Sequence, residues 1–139
     1  MMSTALKTKM NTEVKQKWID ALRSGKYEQG SEKLRSQQGY CCLGVLCDLY
    51  SQEKNQDWEF RGDKDYLQTT DYWYFEDQSE FLPDSVRDWA GLPVGNPNVR
   101  VDVTEADDEN DWFYTDEIAN LNDSGYTFNE LSKLIEQQF

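Results

Sequence analysis

The stretch YCCLGVLCDLY, Tyr40 to Tyr50, holds all three cysteines of a 139-residue chain within eleven positions. Metal ligands, a redox pair and small apolar core residues would each imply a different protein. Wound into a helix at about 100° per residue, Cys42, Leu46 and Leu49 share a narrow stripe, with Leu43, Cys47 and Tyr50 on one side and Cys41 and Val45 on the other. Only Gly44 and Asp48 interrupt the apolar surround, which is the pattern of a central, buried helix. Adjacent Cys41 and Cys42 diverge, and Cys47 stands five residues beyond Cys42 rather than at the three or four that would bring two sulfurs together. The chain has no CxxC pair and no histidine to complete a tetrahedral site. The cysteines therefore read as packing residues. Gly44 is expected to let a neighbouring element approach closely, and Asp48, where buried, to need an arginine, lysine or backbone partner.

Outward from this helix, Asn11 or Thr12 caps a first helix to about Ser24, with Val14, Trp18, Ala21 and Leu22 on one face and Gly25 as its stop. The segment from Gly25 to Gly39 reads as a turn-rich connection with a short extended piece around Leu34. Aromatic density between Asn55 and Phe81 predicts a small antiparallel sheet from pieces such as WEF and DYWYFED. LPDSVRDWAGLP predicts a short helix stopped at Gly91, and NVRVDV a half-buried strand. Thr115 is expected to cap a helix carrying Ile118 and Leu121. Thr127 with Glu130 fits a capping box, and Tyr126 with Leu131 a hydrophobic staple, for a last helix buried through Leu131, Leu134, Ile135 and Phe139. The expected fold class is α+β: a single domain over residues 1–139, residues 1–10 being a flexible start. In it the Tyr40 to Ser51 helix is packed by N- and C-terminal helices and a small antiparallel sheet.

Composition narrows the chemistry. The absence of histidine removes Ser/His/Asp and Cys/His triads, so enzyme activity is disfavoured and no catalytic residue is assigned. No phosphate-binding glycine loop or nucleophile elbow appears, and neither a cofactor nor a metal is expected. MMSTALKTKM lacks an apolar signal region, and no segment approaches the about 20 apolar residues of a membrane span. These features predict a cytoplasmic protein without membrane contact, its thiols reduced.

Charge is unevenly distributed. Residues 1–56 carry nine Lys/Arg and six Asp/Glu, and residues 57–139 carry five and twenty-one, within a net charge of −13. Asp102, Glu105, Asp107, Asp108, Glu109, Asp111, Asp116 and Glu117 stand against Arg100 alone between residues 100 and 117. Such a surface repels nucleic acid and suits a basic partner, whereas its register fits no EF-hand. A second constellation is aromatic: Trp73 and Tyr74 beside Arg61, Arg87 or Arg100 would form a pocket for a nucleotide.

The chain resembles a family of small proteins common in phage and prophage genomes. The resemblance rests on YCCLGVLCDLY, on LPDSVRDWAGL followed by NPNV, on IANLNDSGYTFNELSKLIEQQF and on WIDALRSGKYEQG, which together cover most of the chain. The acidic run DVTEADDENDW departs from that pattern. Combined with the charge, the resemblance implies a phage-encoded accessory protein in the host bacterial cytoplasm. It would bind and inhibit a basic host protein, such as a nuclease, immune effector or other nucleic-acid-binding protein, through an acidic, DNA-mimicking surface. The alternative is a nucleotide-signal sponge or small enzyme built on the aromatic and arginine pocket.

Overall fold

The computed structural model describes residues 9–60, 71–103 and 112–139. Helix α1 (Thr12–Arg23) starts where the Asn11 side chain accepts a hydrogen bond from the Val14 amide, and it buries Val14, Trp18, Ile19 and Leu22. Two short strands follow, β1 (Arg35–Ser36) and β2 (Gly39–Tyr40), and then α2 (Cys42–Lys54). Every residue of α2 from Cys42 to Cys47 is buried.

The remaining elements are β3 (Glu59–Phe60), β4 (Tyr72–Tyr74), α3 (Asp84–Ala90), β5 (Asn98–Val103), β6 (Trp112–Glu117), α4 (Ile118–Asp123) and α5 (Phe128–Gln138). They make the α+β domain expected from sequence, with α2 at its centre. Helices α1, α3 and α4 and strand β2 pack on α2, while α5 lies against α1, α4 and β5. The strands form two antiparallel sheets rather than one: β2-β1-β4-β3, and the pair β5-β6. Met10, assigned by sequence to a flexible start, is buried and donates its amide to the Phe139 carbonyl at 3.4 Å; residues 1–8 lie outside the described residues.

The three thiols are free and fully buried. Desolvation pushes Cys41 up to about 12 and Cys42 and Cys47 well above the ordinary thiol range, so all three stay protonated and un-nucleophilic at neutral pH. Gly44 does what its position suggested. A Cβ there would overlap the Leu34 carbonyl oxygen, so the chain leading into β1 rests directly on the helix backbone.

Asp48 is half-buried, so the condition for a cationic or backbone partner is not met. Its carboxylate accepts from three neutral donors: Tyr27 Oη at 2.6 Å, Gln52 Nε2 at 2.8 Å and Trp58 Nε1 at 3.0 Å. Its half-buried position keeps part of its hydration, and three donors supply the rest. Burial, then the neighbouring Asp48 carboxylate, raises the Tyr27 phenol far above its usual range, which keeps it a donor.

Candidate interaction surface

Of the eight acidic residues between 100 and 117, Asp102, Asp116 and Glu117 lie on the two-stranded hairpin β5-β6. Val99 and Val101 turn into the core, while Asn98, Arg100 and Asp102 face out. The register pairs Asn98 with Glu117, Arg100 with Thr115 and Asp102 with Phe113. Thr115 is thus mid-strand and not a helix cap. Pairing with the Val-rich strand outweighs its capping propensity, and Glu117 takes the N-cap position of α4.

The predicted acidic residues have different roles here. Asp102 is exposed and accepts from Arg100 Nε at 2.8 Å. Asp116 is half-buried, and its Oδ1 accepts from the Glu117 amide at 2.8 Å and Asn120 Nδ2 at 3.0 Å, so it shapes the strand-to-helix corner. Glu117 is exposed. Glu105, Asp107, Asp108, Glu109 and Asp111 lie outside the described residues.

Two features of the hairpin were missed by charge patterning. Trp112 and Phe113, adjacent in sequence and so on opposite faces, are 49% and 53% exposed. The strand edges also differ. On the β5 side the Gln138 side chain acts as a substitute strand: the Arg100 amide donates to its Oε1 and its Nε2 donates to the Arg100 carbonyl, both at 2.7 Å. Below the hairpin the Tyr114 and Tyr126 hydroxyls meet at 3.3 Å, and that bond, ahead of burial, raises Tyr126 to about 12.

The aromatic constellation is only partly assembled. Arg87, on α3, is occupied by Asp84 at 3.3 Å and Asp88 at 3.1 Å. Arg100 pairs with Asp102 and lies 3.9 Å from the Phe113 ring centre. Tyr74 packs against Tyr72, with ring centres 5.5 Å apart, and Arg61 lies outside the described residues. The cation at Trp73 is one the sequence reading passed over, Arg35. Register sets Arg35 between Tyr40 and Trp73, and its guanidinium lies 4.4 Å from the Trp73 ring centre, 5.3 Å from Tyr40 and 5.5 Å from Trp58.

The order of these elements and the residues that pack them run from Met10 to the last residue, and the family comparison covers the same span. The chain belongs to the family described as domain of unknown function DUF8296. That family's profile matches residues 10–139, so the central helix, both sheets and the hairpin all fall within the DUF8296 unit. No curated protein and no solved structure matches the chain. Among the described residues of this DUF8296 domain, no cluster of three or more His, Cys, Asp or Glu could hold a metal ion, and no helix is long and apolar enough to cross a membrane.

Proposed function

We propose that this protein works stoichiometrically, as a phage-encoded accessory protein that binds and inhibits a basic host protein through the acidic hairpin. The observation that carries this reading is the exposed pair Trp112 and Phe113, set on a hairpin whose connecting sequence holds Glu105, Asp107, Asp108, Glu109 and Asp111. A handful of residues, enriched in tryptophan, tyrosine and arginine, dominates the energy of typical protein interfaces, while surrounding charge sets partner choice and encounter rate. Two exposed rings in a stretch of sequence this acidic suit a nuclease or defence protein with a basic nucleic-acid channel.

The test is capture of host proteins on the tagged chain, washed at low and then high salt. Converting Asp107, Asp108, Glu109 and Asp111 to lysine moves the net charge from −13 to −5. It should weaken binding of the captured partner by about tenfold or more at low salt and flatten its salt dependence. Unchanged binding and unchanged salt response in that variant would reject the charge mechanism.

A second reading, binding of a nucleotide, is favoured by Arg35. Among the described arginines, Arg23 pairs with Glu136, Arg87 with Asp84 and Asp88, and Arg100 with Asp102. Arg35 alone has no carboxylate partner among the described residues, while three rings fix its position. A fixed guanidinium beside aromatic faces is suited to a phosphate attached to a base. A panel of cyclic and ADP-ribose-type nucleotides should then raise the thermal midpoint. At 100 times its dissociation constant a ligand adds about 2.7 kcal/mol, and R35Q should abolish the shift. Flat responses across the panel would rule this reading out.

A further inference from the structure

We infer that the edge of β6 facing away from β5 is a strand-addition site for an extended basic segment of the partner protein. This rests on the acidic-hairpin reading above and specifies how contact is made.

The backbone register identifies the groups involved. The Ile118 amide donates to the Pro97 carbonyl at 2.9 Å, which fixes the phase of the antiparallel ladder. Counting back by two, the pairs Val99 with Asp116, Val101 with Tyr114 and Val103 with Trp112 exchange the ladder bonds. The intervening pairs, Arg100 with Thr115 and Asp102 with Phe113, turn their backbone groups away from each other. Arg100 obeys this phase, since its outward amide and carbonyl are the groups that Gln138 satisfies. On the opposite edge the equivalent groups belong to Phe113 and Thr115, and no partner for them is present among the described residues. The next outward amide, of Glu117, is closed by the Asp116 carboxylate. One edge of the hairpin is therefore capped, and on the other the outward donors and acceptors of Phe113 and Thr115, beside two exposed rings, have no partner among the described residues.

An added strand would take these backbone groups and lie against Trp112 and Phe113. Charge selects its composition. On the hairpin Asp102 and Glu117 are exposed against one cation, Arg100, which Asp102 already pairs, and the sequence joining the strands carries five more carboxylates. A second copy of this chain would bring its own −13 to the same edge, which opposes self-pairing. A lysine- or arginine-rich extended segment meets the opposite field.

Thr115→Pro isolates the edge. Proline is tolerated on an edge strand where its missing N–H would have faced outward, so the β5-β6 ladder should survive while one outward donor is lost. The probe is a pool of random decapeptides with Lys or Arg at alternate positions, presented to the immobilised full chain. It is compared with the same pool N-methylated at alternate amides, which keeps the charge and removes backbone donors. Strand addition predicts retention of the unmethylated pool about tenfold above the methylated one, the equivalent of one or two hydrogen bonds, and loss of that preference in T115P. Equal retention of both pools, still salt-sensitive, would overturn strand addition and leave the acidic-surface reading standing. Failure to retain either pool at low salt would overturn both. A concentration-dependent dimer through this edge, read by light scattering and abolished by T115P, would make the occupant a second copy and also overturn the proposal.

Discussion

Gly44→Ala should be among the most damaging single-methyl additions this chain can receive, with a loss of about 3 kcal/mol or more of unfolding free energy in urea titration. In an isolated helix the same change stabilises by about 1 kcal/mol, because alanine gives up less backbone entropy than glycine. The sign reverses here because the added Cβ would meet only backbone: it would overlap the Leu34 carbonyl oxygen and stand 2.6 Å from the carbonyl carbon and 3.1 Å from the Leu34 Cα. None of these can move aside by a rotamer change. The Leu34 carbonyl also accepts the Cys41 amide at 3.2 Å, and the Leu34 amide donates to the Ser79 carbonyl at 2.6 Å. Separating helix from strand would strain both bonds and shift β1 in its sheet. A domain of this kind has only about 5 to 15 kcal/mol in total, so G44A should lower the midpoint by several degrees or more. If G44A unfolds at the wild-type urea concentration, the close approach of Leu34 to α2 is wrong.

That contact was readable in sequence because a glycine inside an otherwise apolar helical surround marks a face where no side chain fits. Helix α1 was equally legible, since its stripe and Asn11 cap are local, and so was α5, whose Thr127 and Glu130 capping box forms as expected. The elements that escaped are those whose identity lies in a distant partner. The extended piece expected around Leu34 is β1, but β2 is two residues long and becomes a strand only through its register with β1. Strand β6 hid under an aromatic run, and its Thr115 looked like a helix cap until paired with Arg100.

The candidate site divides the same way. Its charge was legible from composition, whereas the outward backbone groups of Phe113 and Thr115 depend on the phase of a ladder. Arg35 was passed over because nothing in KLRS signals that Tyr40, Trp58 and Trp73 converge on it. Arg87 and Arg100 were plausible by type, yet each already has a carboxylate. In an acidic chain, most arginines near the surface find one.

Asn122→Ala should cost about 3 to 5 kcal/mol, a large penalty for a polar side chain, because it leaves several groups unpaired at once. Helix α2 begins without a cap of its own: Cys41 holds the N-cap position and makes no side-chain capping bond. The first amides of a helix have no partner within it, and this helix starts in the interior. Asn122, buried on α4, supplies what Cys41 does not. Its Oδ1 accepts the Cys42 amide at 3.2 Å and Gln29 Nε2 at 2.9 Å, while its Nδ2 donates to the Gly30 carbonyl at 2.9 Å and to Asp123 Oδ1 at 3.2 Å. One amide thus joins the central helix, the chain before β1 and the C-terminal unit. Truncation strands the Cys42 donor and the Gly30 acceptor away from water, each costing about 1 to 3 kcal/mol. Asn122→Leu, which fills the volume without hydrogen bonding, should be no better, and this separates lost bonds from a lost side chain's bulk. If N122L recovers wild-type stability, Asn122 acts by packing and the capping argument fails.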